Sequence, residues 1–278
     1  MGTQDTHSPD IEKWLKLIRA EGVGPVTFKR LLKRFHTVDR IFEISMAELQ
    51  TIEGVGSITA QRIFATRNNF DSQKELALAD KLGVKLITTQ DERYPAALRS
   101  IYDPPPILYV KGDFDRSDAL AVAIVGSRRC STYGSEQSSR FAHLLASAGF
   151  TIVSGMARGI DTAAHRGALS AKGRTIAVQG CGLNRIFPPE NEKLFSMIPG
   201  SGACISELPL TYEPLSENFP ARNRIIAALS LATIVVEASA RSGALLTVEA
   251  AISYNREVMA VPGRIDTPQN AGSHRIIK

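Results

Sequence analysis

The chain has 278 residues, a length that suits one large domain together with a small one. Its apolar fraction of 44% and charged fraction of 22% are those of an ordinary soluble globular protein. A formal net charge of +5 favours anionic partners, but this excess alone does not single out nucleic acids.

Neither cysteine usage nor hydropathy points to secretion or to a membrane. Cys130, Cys181 and Cys204 are odd in number and lack C-x-x-C spacing, which implies neither a disulfide framework nor a zinc site. The first ten residues are polar and form no signal peptide, and no apolar run reaches the length of a membrane span. These features predict a protein of the reducing cytoplasm with three small buried thiols, among which Cys181 is the candidate for partial exposure.

Residues 1–80 are predicted to form a small helical domain with two similar segments. Gly22-Val23-Gly24 and Gly54-Val55-Gly56 each join two helical stretches, and glycine permits the tight turn that such a hairpin needs. Amide groups at the start of the following helix are able to hold a phosphate. The alternative is a pair of hairpins used for packing or for a protein partner, and the stronger basic character of the first segment slightly favours this alternative.

Residues 81–118 are predicted to be a connector with two short strands, 84–87 and 107–110, and a domain boundary near 113–118. Residues 119–265 repeat a pattern of apolar strand, Gly/Ser-rich loop and helix. That pattern predicts right-handed crossovers and an α/β fold with a doubly wound, mostly parallel sheet. The six predicted strands are residues 121–125, 151–153, 175–178, 203–205, 233–236 and 257–261. Residues 266–278 are predicted to be a tail.

In such a sheet, ligands bind outside the carboxyl ends of the strands. Glycine, serine and arginine recur in the loops that follow the predicted strands. Glycine lets a backbone approach a ligand, serine donates a hydrogen bond, and arginine binds phosphate through a fork of donors. The sequence therefore predicts an anion crevice formed by residues 126–129, 154–161, 180–184, 206–207 and 237–243.

The stretch Phe219-Pro220-Ala221-Arg222-Asn223-Arg224 is predicted to open an apolar helix, with both arginines on its first turn. A helix start favours anions because its first amides are unpaired and its dipole is positive there. With the flat ring of Phe219, this suits a phosphodiester strand with unpaired bases. The alternative is a helix whose first turn bonds to local carboxylates.

Other chemistries are less well supported. The first loop is not G-x-G-x-x-G, the second strand does not end in an acidic residue, and no P-loop motif occurs, so dinucleotide and P-loop sites are disfavoured. Asp161 and His165 are four residues apart on one helix and are more simply read as bracing it. Glu207 and Glu237 are candidates either for a general base or for anchors of arginine side chains. Binding without turnover is therefore expected, with no metal and no cofactor.

Several long phrases together resemble the DNA-processing protein A family, also called DprA or Smf. The similarity runs from about residue 84 to the end, with a weaker match over the N-terminal helices. The matching phrases are Ala123-Ile124-Val125-Gly126-Ser127-Arg128, Ser154-Gly155-Met156-Ala157-Arg158-Gly159-Ile160-Asp161, Phe219-Pro220-Ala221-Arg222-Asn223-Arg224-Ile225-Ile226, Ser242-Gly243-Ala244-Leu245 and Arg256-Glu257-Val258-Met259-Ala260-Val261-Pro262-Gly263.

The resemblance implies a SAM-like helical domain followed by an extended Rossmann-like domain. It also implies a homodimer, without enzymatic activity, that binds and protects single-stranded DNA and helps load a RecA-type recombinase during natural transformation. By motif, the implied DNA contacts are Gly126, Ser127, Arg128, Arg129, Gly155, Phe219, Arg222, Asn223, Arg224, Arg241, Ser242 and Gly243.

The sequence departs from the family pattern in two places. Phe187 stands where the family often has tyrosine, and the chain stops where many members continue into a winged-helix domain. The end is therefore expected to be a truncation, which leaves any role of that domain in doubt.

Two alternatives stay open at this point. A nucleotide phosphoribohydrolase of the lysine-decarboxylase-like group is the rival function, because Thr247 and Glu249 match part of its signature. The N-terminal helices are alternatively a docking module for a protein partner.

Overall fold

The computed structural model describes residues 7–278. The first six residues, which belong to the polar segment predicted not to be a signal peptide, lie outside the described range. The chain forms two compact units. The first comprises the chain up to Tyr94 together with Arg99–Tyr109, and the second comprises Pro95–Leu98 and Val110–Lys278.

The helices and strands follow the predicted order. Up to residue 112 the elements are α1 Ile11–Ile18, α2 Pro25–Phe35, α3 Val38–Glu43, α4 Met46–Leu49, α5 Ser57–Asn69, α6 Ser72–Leu82, β1 Val84–Thr88, α7 Ala96–Arg99 and β2 Ile107–Gly112. They are followed by β3 Ala121–Val125, α8 Thr132–Ser147, β4 Thr151–Ser154, α9 Ile160–Ser170, β5 Thr175–Val178, α10 Glu192–Met197, β6 Gly202–Ser206, α11 Asn218–Leu229, β7 Ala232–Val235, α12 Ala244–Ser253, β8 Glu257–Ala260 and α13 Ala271–Ile277.

Both predicted hairpins of the helical unit are confirmed. Gly22 and Gly54 adopt φ angles of 92° and 88°, in the left-handed region that favours glycine. Gly24 and Gly56 then cap the N-termini of α2 and α5. Each hairpin therefore turns on its first glycine and starts a helix after its second.

The two hairpins are linked by reciprocal ion pairs. Arg30, which follows the first hairpin, pairs with Glu53 of the second at 3.1 Å. Arg62, which follows the second hairpin, pairs with Glu21 of the first at 3.0 Å. Both basic side chains thus have acidic partners in the same unit, which agrees with use of the hairpins in packing. Phosphate binding by them stays a prediction.

All eight predicted strands are present, with bounds shifted by at most two residues. β1 pairs with β2 in the first unit, and the sheet of the second unit has the order β2-β6-β5-β4-β3-β7-β8. Strands β3 to β8 pair in parallel wherever they are neighbours. The prediction of a doubly wound, mostly parallel sheet behind a helical domain is confirmed.

The strand order reverses direction at β3. The chain runs outward from β3 to β4, β5 and β6, and it then returns to place β7 and β8 on the other side of β3. Right-handed crossovers consequently set α8 and α9 on one face of the sheet and α11 and α12 on the other. Val125 at the end of β3 is level with Val235 at the end of β7, so the loops that follow these strands begin side by side.

A ridge of small residues joins α8 to the sheet and to α9. Gly134, Ser138, Ala142 and Ala146 recur every fourth residue along α8, and all four are buried. Small side chains at this spacing allow a neighbouring helix to approach closely. The start of α8 is thereby held firmly, which matters because the loop before it reaches the carboxyl edge of the sheet.

Among residues 7–278, no helix combines the length and apolarity that crossing a bilayer requires.

Candidate nucleic-acid interface

The point where the strand order reverses carries a cleft of about 680 Å³. It opens at the carboxyl ends of β3 and β7, where an open parallel sheet binds its ligands. We call it the switch-point cleft. Nine of the twelve predicted contact residues line it, namely Gly126, Ser127, Arg128, Arg129, Phe219, Arg222, Asn223, Ser242 and Gly243.

The other three predicted residues lie outside this lining. Gly155 is buried behind Arg222, and Arg224 forms an ion pair with Glu207 in which both side chains are largely covered. Arg241 is exposed beside α12, where it lines a separate hollow of about 600 Å³. Their contact with a ligand stays a prediction.

The helix that follows Phe219 begins earlier than predicted. α11 starts at Asn218, so Pro220 occupies its first turn, where a missing N–H leaves no bond unmade. Arg222 and Arg224 therefore lie on the second turn, and the expectation that they occupy the first turn is wrong. The unpaired amides of this helix belong instead to the residues around Phe219.

Arg222 is the most deeply buried basic group at the site, with 4% of the residue exposed. Its Nη1 donates to the carbonyl of Gly155 at 2.6 Å and also to the carbonyl of Val178. Burial lowers the pKa of the guanidinium to about 10, which leaves it charged at neutral pH. Arg222 therefore fastens the ends of β4 and β5 to α11.

Asp161 lies beside this guanidinium and accepts hydrogen bonds from the amides of Gly155 at 3.1 Å and Ala157 at 3.3 Å. Burial raises the pKa of its carboxyl to about 6, against the opposing charge of Arg222 and the two amide donors. His165 bonds instead to Thr175 at 2.7 Å, and burial lowers its pKa to about 3. These separate partners agree with the bracing interpretation of both residues.

Glu237 neither acts as an arginine anchor nor lies open as a base. Its carboxylate accepts from the amide of Ser131 at 3.0 Å and from the hydroxyl of the same residue. Its backbone carbonyl accepts from the amide of Ser127 at 2.7 Å. The end of β7 thus holds both ends of the loop that carries Arg128. Glu207, by contrast, is an arginine anchor, because it pairs with Arg224.

Arg128 stacks on Phe219 across the cleft. Its guanidinium carbon lies 5.0 Å from the ring centroid, within the range of a cation–π contact. Phe219 is half-buried against Gly180, whereas Arg128 and Arg129 are exposed. No ion pair of either guanidinium with a carboxylate is found among residues 7–278. These two cations are therefore available to an anionic ligand.

The opposite wall of the cleft is the start of α12. Ala244 is its first helical residue, and both Gly243 and Ala244 line the cleft. The side-chain amide of Asn223 donates to the carbonyl of Gly243 at 3.3 Å, which ties this wall to α11. The first three amides of α12 bond locally, to the hydroxyl and carbonyl of Ser242 and to the carbonyl of Gly243. The positive end of the α12 dipole faces the same space as Arg128, which favours a bound anion.

Comparison with known proteins identifies the family. The model of the family described as DNA recombination-mediator protein A matches residues 85–278. A second model, of a SAM-like helix-hairpin-helix tandem, matches residues 15–66. The chain belongs to the DNA recombination-mediator protein A family.

Relatives in this family are similar over most of the chain. Protein Smf of Synechocystis sp. is 39% identical over 95% of this chain and 67% of its own length. The DNA processing protein DprA of Streptococcus pneumoniae is 44% identical over 68% of this chain and 66% of its own length.

Two solved structures of family members resemble the chain. The X-ray structure of DprA from Streptococcus pneumoniae has a TM-score of 0.81 at 35% identity, and the match covers 100% of this chain and 93% of that one. The second is DNA processing protein A from Helicobacter pylori, described with its single-stranded DNA binding mode. It has a TM-score of 0.62 at 34% identity, over 67% of this chain and 85% of that one.

Sequence reasoning missed the contribution of the C-terminal segment to the site. Gln269 lines the switch-point cleft, although residues 266–278 are predicted to be a tail. The segment packs on the loop after β7, because the Ser273 hydroxyl accepts from the amide of Ala238 at 3.1 Å. No signal in the sequence marks Gln269, since it follows no strand and belongs to no motif.

The cysteines and acidic groups suggest no metal site. Cys181 is buried, as predicted for the three thiols, and the alternative of partial exposure is wrong; burial raises the pKa of its thiol to about 11. Cys204 is buried as well, while Cys130 is half-buried. Within the described part of the chain, no group of three or more His, Cys, Asp or Glu side chains is arranged to hold a metal ion.

We expect Glu237→Gln to loosen the loop that carries Arg128. The glutamine removes the negative charge that accepts from the amide and hydroxyl of Ser131, and a hydrogen bond to a charged group contributes about 1.5–3 kcal/mol. Gly134→Ala should act alike, since its Cβ would come 2.7 Å from the Glu237 carboxylate. Urea unfolding should show both losses. Glu249→Gln, at an exposed position of α12, is the control. Unchanged stability of both test variants would contradict the assignment.

Asp161 should give the stability of the protein a particular pH dependence. Its carboxyl has a pKa of about 6 when folded, above the usual 3.8, so folding favours the protonated form. The unfolding free energy should therefore fall as pH rises from about 4 to about 6, by an amount on the order of 1–3 kcal/mol. Asp161→Asn should lack this decline. If chemical denaturation shows that the unfolding free energies of the unmodified protein and of Asp161→Asn change in parallel with pH, the effect is excluded.

Proposed function

We propose that this chain binds single-stranded DNA in the switch-point cleft, protects it, and passes it to a RecA-type recombinase during natural transformation. The observation that carries the proposal is the exposed guanidinium of Arg128 stacked on Phe219, opposite the positive end of the α12 dipole. A phosphodiester strand needs cations and N–H donors, and an unpaired base needs a flat ring. The relative from Helicobacter pylori, described with its single-stranded DNA binding mode, supports the same ligand.

In this proposal, Arg128 and Arg129 bind phosphates, and the start of α12 with Ser242 and Gly243 donates further hydrogen bonds. Phe219 offers its ring to a base. Arg222 takes a different part from that of a phosphate ligand, because two backbone carbonyls already occupy its buried Nη1. We assign it the positioning of Phe219, which lies three residues earlier on the same helix. A cleft of about 680 Å³ has room for one backbone rather than for a duplex.

Binding without turnover is part of the proposal. The rival phosphoribohydrolase would need Glu249 near its substrate, but this residue is exposed and lines the separate hollow beside α12. Thr247 alone of that pair faces the switch-point cleft. The carboxylates of Asp161 and Glu237 already accept hydrogen bonds from backbone amides, and that of Glu237 also accepts one from a hydroxyl. The acidic groups near the cleft therefore position the surrounding loops rather than catalyse a reaction.

We also propose a homodimer formed through the Rossmann-like unit. Ile252 of α12 is 66% exposed and Met259 of the edge strand β8 is 52% exposed. A strand at the edge of a sheet, such as β8, favours pairing with another chain. A second copy of this chain, which presents the same patch, is the occupant that we propose.

Arg128→Ala and Phe219→Ala should each weaken binding of single-stranded oligonucleotides measured by fluorescence anisotropy. Loss of a stacked ring should cost about 1–3 kcal/mol per base. Loss of one phosphate contact should reduce the dependence of log affinity on log salt by about 0.7. Arg140→Ala, an exposed arginine of α8, is the matched control and should bind normally.

The same assay tests the ligand class. The unmodified protein should prefer single strands to a duplex of the same length, and it should release no adenine from AMP. Equal affinity for both forms of DNA, or normal binding by Arg128→Ala, would refute the proposed site.

The dimer is tested by Ile252→Asp together with Met259→Asp. A carboxylate in the middle of an apolar interface would be buried without a partner, so we expect the double variant to be a monomer in light scattering. Leu144→Asp, which places the same charge on an exposed leucine of α8, should leave the molecular mass unchanged. A double variant with the mass of the unmodified protein would contradict this interface.

A further inference from the structure

The loop between β5 and α10 carries a second aromatic ring beside the switch-point cleft. The centroid of Phe187 lies 5.6 Å from that of Phe219, and the two ring planes are inclined by 39°. Phe187 is half-buried and does not itself line the cleft. The aromatic surface at Phe219 therefore continues to Phe187, in the loop that follows β5.

Two exposed arginines belong to this loop or pair with one of its residues. Arg185, two residues before Phe187, is 52% exposed and pairs with Glu213 at 2.9 Å. Arg158 is 54% exposed and pairs with Glu190, three residues after Phe187. Ion pairs between exposed side chains contribute little to stability. A phosphate can therefore replace either carboxylate at small cost, unlike the buried partners of Arg222.

The loop that presents Phe187 is held in place by its neighbours. The amide of Gly182 donates to the carbonyl of Tyr212 at 3.0 Å, and the amide of Asn184 donates to the carbonyl of Leu210 at 2.9 Å. The buried hydroxyl of Ser206 donates to the carbonyl of Cys181, the residue before Gly182, at 2.8 Å. Because these hydrogen bonds already order the loop, little conformational entropy is lost when a ligand binds to it, which favours binding.

We propose that the loop after β5 is a second nucleotide subsite, in which Phe187 stacks on a base and Arg185 and Arg158 bind the flanking phosphates. The subsite lengthens the DNA path from the switch-point cleft across the ends of β4 and β5. It rests on the proposed function, because its ligand is the same single strand. The cleft takes the first nucleotides, and the loop takes those that follow.

The test is a titration of the full chain with fluorescein-labelled oligothymidylates of increasing length. The shortest oligonucleotides fill only the cleft, and Phe187→Ala should bind them as the unmodified protein does. Longer ones reach the loop, and there Phe187→Ala should bind about 5- to 150-fold more weakly. Phe187→Tyr keeps the ring and should restore the affinity. Phe187→Leu keeps apolar bulk without a flat ring and should not restore it.

A scan with abasic sites identifies the stacked base. At one position, removal of the base should weaken binding to the unmodified protein and leave binding to Phe187→Ala unchanged, because the two losses remove the same contact. Arg185→Ala and Arg158→Ala should each lower the salt dependence for long oligonucleotides by about 0.7 in log–log slope. Arg140→Ala and Leu144→Ala, both exposed on α8, are the matched controls.

The outcomes separate the two proposals. If the unmodified protein binds no single-stranded DNA, the proposed function fails. If it binds, but Phe187→Ala and Phe187→Leu match it at every length, the second subsite is overturned. The subsite is also overturned if Phe187→Ala loses the same affinity for oligonucleotides of every length and no abasic position removes the difference between the two proteins. Phe187 would then only support Phe219.

Discussion

The buried guanidinium of Arg222 is the interaction on which the geometry of the cleft depends. Taking such a charge out of water is expensive unless its donors are satisfied, and breaking a buried polar cluster costs several kcal/mol. Here the donors meet the carbonyls that end β4 and β5, and the carboxylate of Asp161 supplies an opposite charge nearby. The start of α11 therefore has one position relative to the sheet, and Phe219 is set against Gly180 as a consequence.

Glu237 provides the corresponding constraint on the other side of β3. Its side chain and its carbonyl hold the two ends of the loop that carries Arg128. Because buried groups fix both walls, the cation–π contact of Arg128 with Phe219 forms between side chains that are already in position. A ligand then meets a shaped cleft rather than mobile loops, and less of its binding free energy is lost to ordering.

The sequence was sufficient to predict the strands, the two hairpins and the loops that meet at the carboxyl edge, because each depends on local pattern and on parallel topology. It was not sufficient to predict which arginines would be buried. Arg222 and Arg224 are two residues apart on a helix, about 200° around its axis, so they must face different surroundings. The tertiary fold alone determines that Arg222 faces the strand ends and Arg224 faces Glu207. Gln269 was out of reach for the same reason, since only packing of the last helix brings it to the cleft.

This division of the arginines bears on how the protein would use its charge. The formal excess of +5 is spread over the whole chain, and many basic groups already have partners, such as Arg30, Arg62 and Arg224. Exposed guanidiniums without an acidic partner among the described residues, such as Arg128, displace condensed cations from the DNA when they bind a phosphate. Guanidiniums in exposed ion pairs, such as that of Arg185, must first separate from their carboxylate partner. The salt dependence of DNA binding should therefore reflect a few positions at the carboxyl edge of the sheet rather than the net charge.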